Sequence, residues 1–174
     1  MLIRKAQAED APGIARVHVE SWRTTYAGMV PGEFLAGLSY EGRQMMWDSV
    51  LAVPERQRLV FVAETPERQV VGFASAGSER AGDGVYQGEI YALYLLQSYQ
   101  RQGIGRQLFR AAASGLRQAG MASWLVWVLT GNPARKFYEA MGGQYLYEKE
   151  IEIGGKGLVE AAYGWKDTRI IMES

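Results

Sequence analysis

The sequence predicts a mixed α and β fold, and three observations carry that prediction. Runs rich in β-branched and aromatic residues alternate with stretches whose apolar residues recur every three or four positions. One segment reads strand, helix, strand, the spacing of a βαβ unit whose crossover is right-handed. The chain then closes on two long β-rich runs joined by "GGKG", the pattern of a terminal hairpin. At 174 residues, 48% of them hydrophobic, it is long enough to bury one sizeable core, so one domain over residues 1–174 is expected. The expected sheet is mixed, mostly antiparallel and about seven-stranded, with about four flanking helices.

Taken in order, "MLIRKA" reads as a short strand, and Asp10 as the N-cap of a helix with Ile14, Val17, Ser21 and Trp22 at helical spacing. That helix should fray near Tyr26 to Gly28. Pro31 suits the first turn of a short helix. Ser39 caps another, whose stripe of Met46, Trp47, Val50 and Leu51 ends before Pro54. "RLVFVAET" and "QVVGFASAGS" form a hairpin across "PERQ", and "SERAGDG" (78–84) reads as a solvated surface loop. A strand over 89–96 precedes a helix running from Gly103 to Gly120, and "SWLVWVL" (123–129) is a strand apolar on both faces. Asn132 caps a helix that starts at Pro133 and stops at Gly142 and Gly143. "QYLYEKEIEI" and "LVEAAYGW" are the arms of the terminal hairpin, which offers an edge for pairing in a homodimer.

Composition removes several classes of function. With 19 basic against 19 acidic side chains there is no global field to attract nucleic acid or an anionic membrane, so neither partner is expected. Zero cysteines exclude disulfides, thiolate metal sites and a cysteine nucleophile, and suit a reducing cytoplasm. No stretch approaches the roughly 18 apolar residues of a membrane span, so the chain reads as soluble and cytoplasmic. His18 is the only histidine and no G-x-S-x-G occurs, which argues against serine-hydrolase and zinc-protease chemistry.

The stretch that carries chemistry is "YQRQGIGR" (99–106), between a strand and a helix N-terminus. The first N–H groups of a helix have no partner within it and lie at the positive end of its dipole. Gly103 and Gly105 let an anion such as phosphate approach those amides, with Arg101 and Arg106 beside them. The same glycines would serve a purely conformational turn. Leu108 stands where the third glycine of G-x-G-x-x-G belongs, and no G-x-x-x-x-G-K-[ST] occurs, so dinucleotide and P-loop motifs are absent.

"LYLLQSYQRQGIGRQLF" resembles motif A of the GCN5-related N-acetyltransferases, Q/R-x-x-G-x-G/A, met here by Gln100, Gly103 and Gly105. "GNPARKFYEAMGG" (131–143) is similar to motif B of the same family, an asparagine followed by a short helix bearing a tyrosine and then glycine. The order of elements agrees with that family over about residues 1–167, although Gln97 stands where relatives often carry proline.

This resemblance implies the acyl-CoA N-acyltransferase fold, in which two parallel strands, here 89–96 and 123–129, splay to admit the pantetheine arm of acetyl-CoA. It places Leu93, Tyr94 and Leu95 along that arm. Gln100, Arg101, Gln102, Gly103, Ile104, Gly105 and Arg106 would hold the pyrophosphate, with Asn132 also on the cofactor. The implied reaction is direct acetyl transfer to a primary amine in a ternary complex, with no metal. Tyr138, a phenol protonated at neutral pH, would give a proton to the leaving thiolate. Glu89, eleven residues before Gln100, is either a general base or a solvated strand end. Glu64 is a second base candidate and could equally hold a cationic acceptor.

His18, Trp22 and Tyr26 recur four apart and face either the amine or the core. Trp22 and Tyr26 are the acceptor-pocket candidates among them. A small amine, a polyamine, an amino acid and a peptide N-terminus all satisfy these motifs. Two rival readings share them: a domain that binds acyl-CoA without turnover, and a transferase of longer acyl groups.

Overall fold

A computed structural model describes residues 1–54 and 59–166, so the strand start expected at Arg58 lies outside the described residues. The elements are β1 (Leu2–Lys5), α1 (Ala11–Thr25), α2 (Gly32–Ala36), α3 (Tyr40–Ala52), β2 (Leu59–Glu64), β3 (Val70–Ser78), β4 (Gly88–Leu95), α4 (Ile104–Gln118), β5 (Trp124–Leu129), α5 (Arg135–Ala140), β6 (Gln144–Ile153) and β7 (Lys156–Trp165). Short 3-10 turns precede α1 (Ala8–Asp10) and α4 (Gln97–Tyr99). The seven strands form one sheet in the order β1-β2-β3-β4-β5-β7-β6. Among the described residues, β4 and β5 alone pair in parallel. Five α-helices stand among the described residues against the four or so expected.

Local chemistry accounts for most boundaries. Ser39 Oγ accepts from Gly42 N at 3.1 Å, the expected cap of α3. Pro31 is the residue immediately before α2. Asn132 Oδ1 accepts from Ala134 N at 2.9 Å, but this bond closes the turn ahead of the helix: α5 begins at Arg135, with Ala134 at its cap position, rather than at Pro133 with Asn132 as cap. Asp10 departs from expectation. Its carboxylate caps no amide of α1; it takes Gln7 N at 2.7 Å and the Arg4 guanidinium at 2.7 and 2.9 Å. A two-pronged contact with a guanidinium is stronger than one amide bond at a helix end.

The two faces of the sheet are covered unequally, and that creates the site. On one face Phe73 of β3 packs against His18 of α1 and Trp47 of α3. On the other, α4 comes so close that a Cβ on Gly72 would lie 3.1 Å from Leu108 Cδ1. A Cβ on Gly115 of α4 itself would lie 2.9 Å from Phe61. α5 lies on the α4 face, its Tyr138 against Phe109 and Trp165. α1 packs on β3 and β4. Past β4, the α1 face of β5, β7 and β6 borders a cavity.

Candidate active site

β4 and β5 stay together for only three registers, Gly88 with Trp124, Glu89 with Leu125 and Ile90 with Val126. A bulge marks the parting: Ser75 faces Ala92 and Ala76 faces Ile90, so Tyr91 is an extra residue in β4. Leu96 N–H donates to the Val71 carbonyl at 2.9 Å. The alternation of an antiparallel ladder therefore turns the backbone of Tyr94 toward β3 and the backbones of Leu93 and Leu95 toward the gap. Gln100 Nε2 donates to the Leu95 carbonyl at 3.1 Å, tying the following turn to the end of the strand.

That turn is shaped by two residues with positive φ, Arg101 at 63° and Gly103 at 80°. Alternating left- and right-handed residues point successive amides into one concavity, and Gly103 reaches this conformation without the strain of a side chain. Within α4 the bond from Gln107 N to Gly103 O is 3.2 Å, which leaves the amides of Ile104, Gly105 and Arg106 without intrahelical acceptors. A Cβ on Gly105 would have as its nearest neighbour Phe137 at 3.9 Å. Gln100, Arg101, Gln102 and Arg106 are exposed around it. A strand-shaped gap leading to an amide cradle with two arginines fits a long arm that ends in a diphosphate.

At the gap the two faces meet. Tyr138 is 6% exposed, and burial pushes its phenol up, with Tyr26 adding to the effect. Tyr26 comes from the end of α1 and Tyr138 from α5, on opposite faces of the sheet. The Tyr26 hydroxyl lies 3.1 Å from that of Tyr94. Burial pushes Tyr94 well above the usual phenol range, and pushes Tyr26 up as well. All three phenols are protonated at neutral pH. Asn132, 6% exposed, also reaches the Tyr26 hydroxyl.

The cavity on the α1 face has a volume of about 410 Å³. Trp22, Tyr26, Glu89, Tyr91 and Tyr94 line one side, and Trp127, Leu129, Lys149, Ile151 and Glu160 the other. Glu89 is buried in this wall and held by Arg80, whose backbone N–H donates at 3.3 Å and whose Nε donates at 3.2 Å, with a further Nη2 bond. Arg80 stands 4.2 Å over the Tyr91 ring. It is an exposed loop residue, as expected, whose side chain also lines the cavity. The loop itself is built: Glu79 accepts from the amides of Ala81, Gly82 and Asp83, and Tyr147 of β6 bonds to Asp83.

Trp22 and Tyr26 reach the cavity, and Glu89 lines it; Tyr138, Glu64 and His18 are absent from its lining. Glu64 belongs to β2, bonded to Arg4 Nε at 3.0 Å, and is absent from the lining. His18 is a core residue whose Nδ1 accepts from Trp47 Nε1 at 3.2 Å. Burial, with Arg43 nearby, pushes its imidazole down to about 3. It stacks on Tyr94 at 5.4 Å and so holds that ring in place. Tyr94, expected to contribute backbone to the gap, contributes its side chain to the cavity instead. Trp127, Lys149 and Glu160 were not singled out by the sequence. Period-two alternation along β6 does put Lys149, Ile151 and Ile153 on one face, but nothing local says that this face borders β5.

A sheet opened at its parallel pair, with an amide cradle at one end of the gap and a polar cavity beside it, suits a protein that holds an extended anionic ligand next to a second small molecule. Residues 56–142 match the acetyltransferase (GNAT) domain. The chain is 42% identical to the uncharacterized N-acetyltransferase YuaI of Bacillus subtilis, over 95% of this chain and 92% of that protein. It is 23% identical to a spermidine N(1)-acetyltransferase of Thermoplasma acidophilum, over 86% of this chain and 97% of that one. The crystal structure of the PaiA N-acetyltransferase from T. acidophilum in complex with coenzyme A superposes with a TM-score of 0.70, at 21% identity, covering 92% of this chain and 96% of the other. The chain belongs to the GNAT family, and with it to the acetyl-CoA-dependent N-acyltransferases.

Proposed function

We propose that the chain transfers the acetyl group of acetyl-CoA to a primary amine of a small molecule or peptide, directly and without a covalent acyl-enzyme. The observation that carries this reading is the parting of β4 and β5 after Ile90 and Val126, in line with the amide cradle at Gly103. Leu93 and the Leu95 N–H offer backbone to the arm, the Leu95 carbonyl being held by Gln100, and Gln100 to Arg106 offer amides and charge to the diphosphate. Asn132 lies at the gap beside the Tyr26 hydroxyl. Bound acetyl-CoA would supply an activated acetyl thioester.

Tyr138 is the proposed proton donor. Its phenol is kept protonated by burial at the gap, where a departing sulfur would need a proton. Glu89 is the proposed proton acceptor for the amine. An ionised carboxylate has about four lone-pair sites, and the bonds from Arg80 take three of them, so one remains on the side of Oε1. Tyr26 and Trp22 shape the acceptor side of the same cavity.

The test is a pair of measurements on the intact protein. Acetyl-CoA at about 100-fold over its dissociation constant should stabilise the fold by about 2.7 kcal/mol, seen as a higher Tm. Thiol release from acetyl-CoA should then depend on an added primary amine. Absence of a thermal shift at millimolar acetyl-CoA overturns the cofactor assignment, and a shift without thiol release across amine classes points to a binding domain.

A further inference from the structure

We propose that the acceptor carries a carboxylate beside its amine, and that the cavity on the α1 face is a site for a free α-amino acid, with Lys149 and Arg80 reading the carboxylate. This rests on the transfer reading above. The cavity lining holds four charged side chains, two of each sign: Glu89 and Glu160 against Arg80 and Lys149. They are sorted by depth. The Glu89 and Glu160 side chains are 3% and 16% exposed, while those of Arg80 and Lys149 are 64% and 42% exposed. The interior is anionic and the mouth is cationic.

The two cations at the mouth are fixed in position. Lys149 Nζ lies 3.2 Å from Glu160 and 3.7 Å over the centre of the Trp127 ring. Arg80 is bonded to Glu89 and lies over Tyr91. Each keeps spare donors, because an ammonium has three N–H groups and a guanidinium five. An acceptor bearing only cations would be repelled by the two cations at the mouth. A zwitterion matches both layers, its amine directed inward to the carboxylates and its own carboxylate at Lys149 and Arg80. Glu160 and Glu89 line the same cavity as Tyr26 and Tyr94. A volume of about 410 Å³ suits one small molecule rather than a folded substrate.

The experiment compares matched acceptors at fixed acetyl-CoA by thiol release: leucine with isopentylamine, phenylalanine with phenethylamine, lysine with cadaverine. For at least one pair the acid should exceed the amine at least tenfold in kcat/KM, the worth of one charge-assisted hydrogen bond. Lys149→Gln should reduce that ratio about tenfold through the KM of the acid, and Lys149→Arg should restore it. Both replacements sit at a half-exposed position, and the acetyl-CoA thermal shift reports that the variants remain folded and cofactor-competent. Equal turnover within every pair, preference for the amine alone, or a ratio unmoved by Lys149→Gln overturns the proposal. So does an intact acetyl-CoA shift with no member of either set turned over. If the transfer reading is itself wrong, either the thermal shift is absent or it is present while no amine of any class releases thiol, whereas a wrong acceptor class leaves thiol release with amines outside these pairs.

Discussion

Replacing Gly105 by valine should separate the fold of this protein from its cofactor site. Gly105 is the second residue of α4, and the nearest atom to a Cβ built there is Phe137 Cε2 at 3.9 Å, an ordinary contact. Valine is at least as good a helix former as glycine, so the unliganded protein should keep its stability within about 0.5 kcal/mol. The branched side chain would nevertheless project into the concavity that the amides of Ile104 to Arg106 face. Loss of two charge-assisted amide contacts at about 1.5 kcal/mol each weakens acetyl-CoA about 100-fold. At a concentration 100 times the wild-type dissociation constant, the stabilisation falls from about 2.7 to about 0.4 kcal/mol. For a chain of this size that is a fall in thermal shift from roughly 5–11 °C to roughly 1–2 °C. Differential scanning fluorimetry with and without acetyl-CoA reads both quantities. An unchanged shift in the variant would refute the assignment of these amides to the diphosphate, and a large drop in unliganded Tm would refute the open space at Gly105.

Three further outcomes are expected. Tyr138→Phe keeps the ring among Phe109, Phe137 and Trp165, so it should leave the acetyl-CoA shift intact while lowering kcat by about 10²-fold; unaltered turnover removes the phenol from the mechanism. Glu89→Gln should depress kcat/KM mostly at lower pH, where proton removal from the amine limits the rate; a profile identical to wild type assigns Glu89 to wall structure alone. Acidification should destabilise the protein through His18. Its folded value is near 3, while the unfolded imidazole has its ordinary value near 6.5. The unfolded chain therefore takes up a proton that the folded one refuses. The contribution of His18 is full above about pH 6.5 and declines by at most about 1.4 kcal/mol per pH unit as the pH falls toward 3. Urea unfolding at pH 7, 5 and 4 should show that slope in wild type and a flatter one in His18→Gln; equal slopes would exclude His18 as its source.

Where a property depends on neighbours in sequence, reading the chain was enough. Periodicity and caps located β6 at Gln144–Ile153 and β5 within a residue of its ends, and Ser39 caps α3 as its hydroxyl predicts. The glycine turn at 103–105 was legible for the same reason, because a positive φ and exposed helix amides are local requirements. The expected cap at Asp10 failed because Arg4, in a strand six residues earlier, offers a stronger partner once β1 and the 3-10 turn are folded together.

The acceptor side was decided by tertiary structure. Glu64 and Glu160 look alike in sequence, each an acid in an apolar strand, yet one bonds to Arg4 across β1 and the other faces the cavity beside Lys149. Arg80 reads as a loop charge, and the fold also sets it against Glu89, nine residues on. Which carboxylate meets which cation is fixed by strand order and register across the sheet, and those follow from packing the whole core at once. The sequence by itself therefore determined the elements and the glycine turn before α4, and the tertiary structure alone assembled the cavity beside the strand gap.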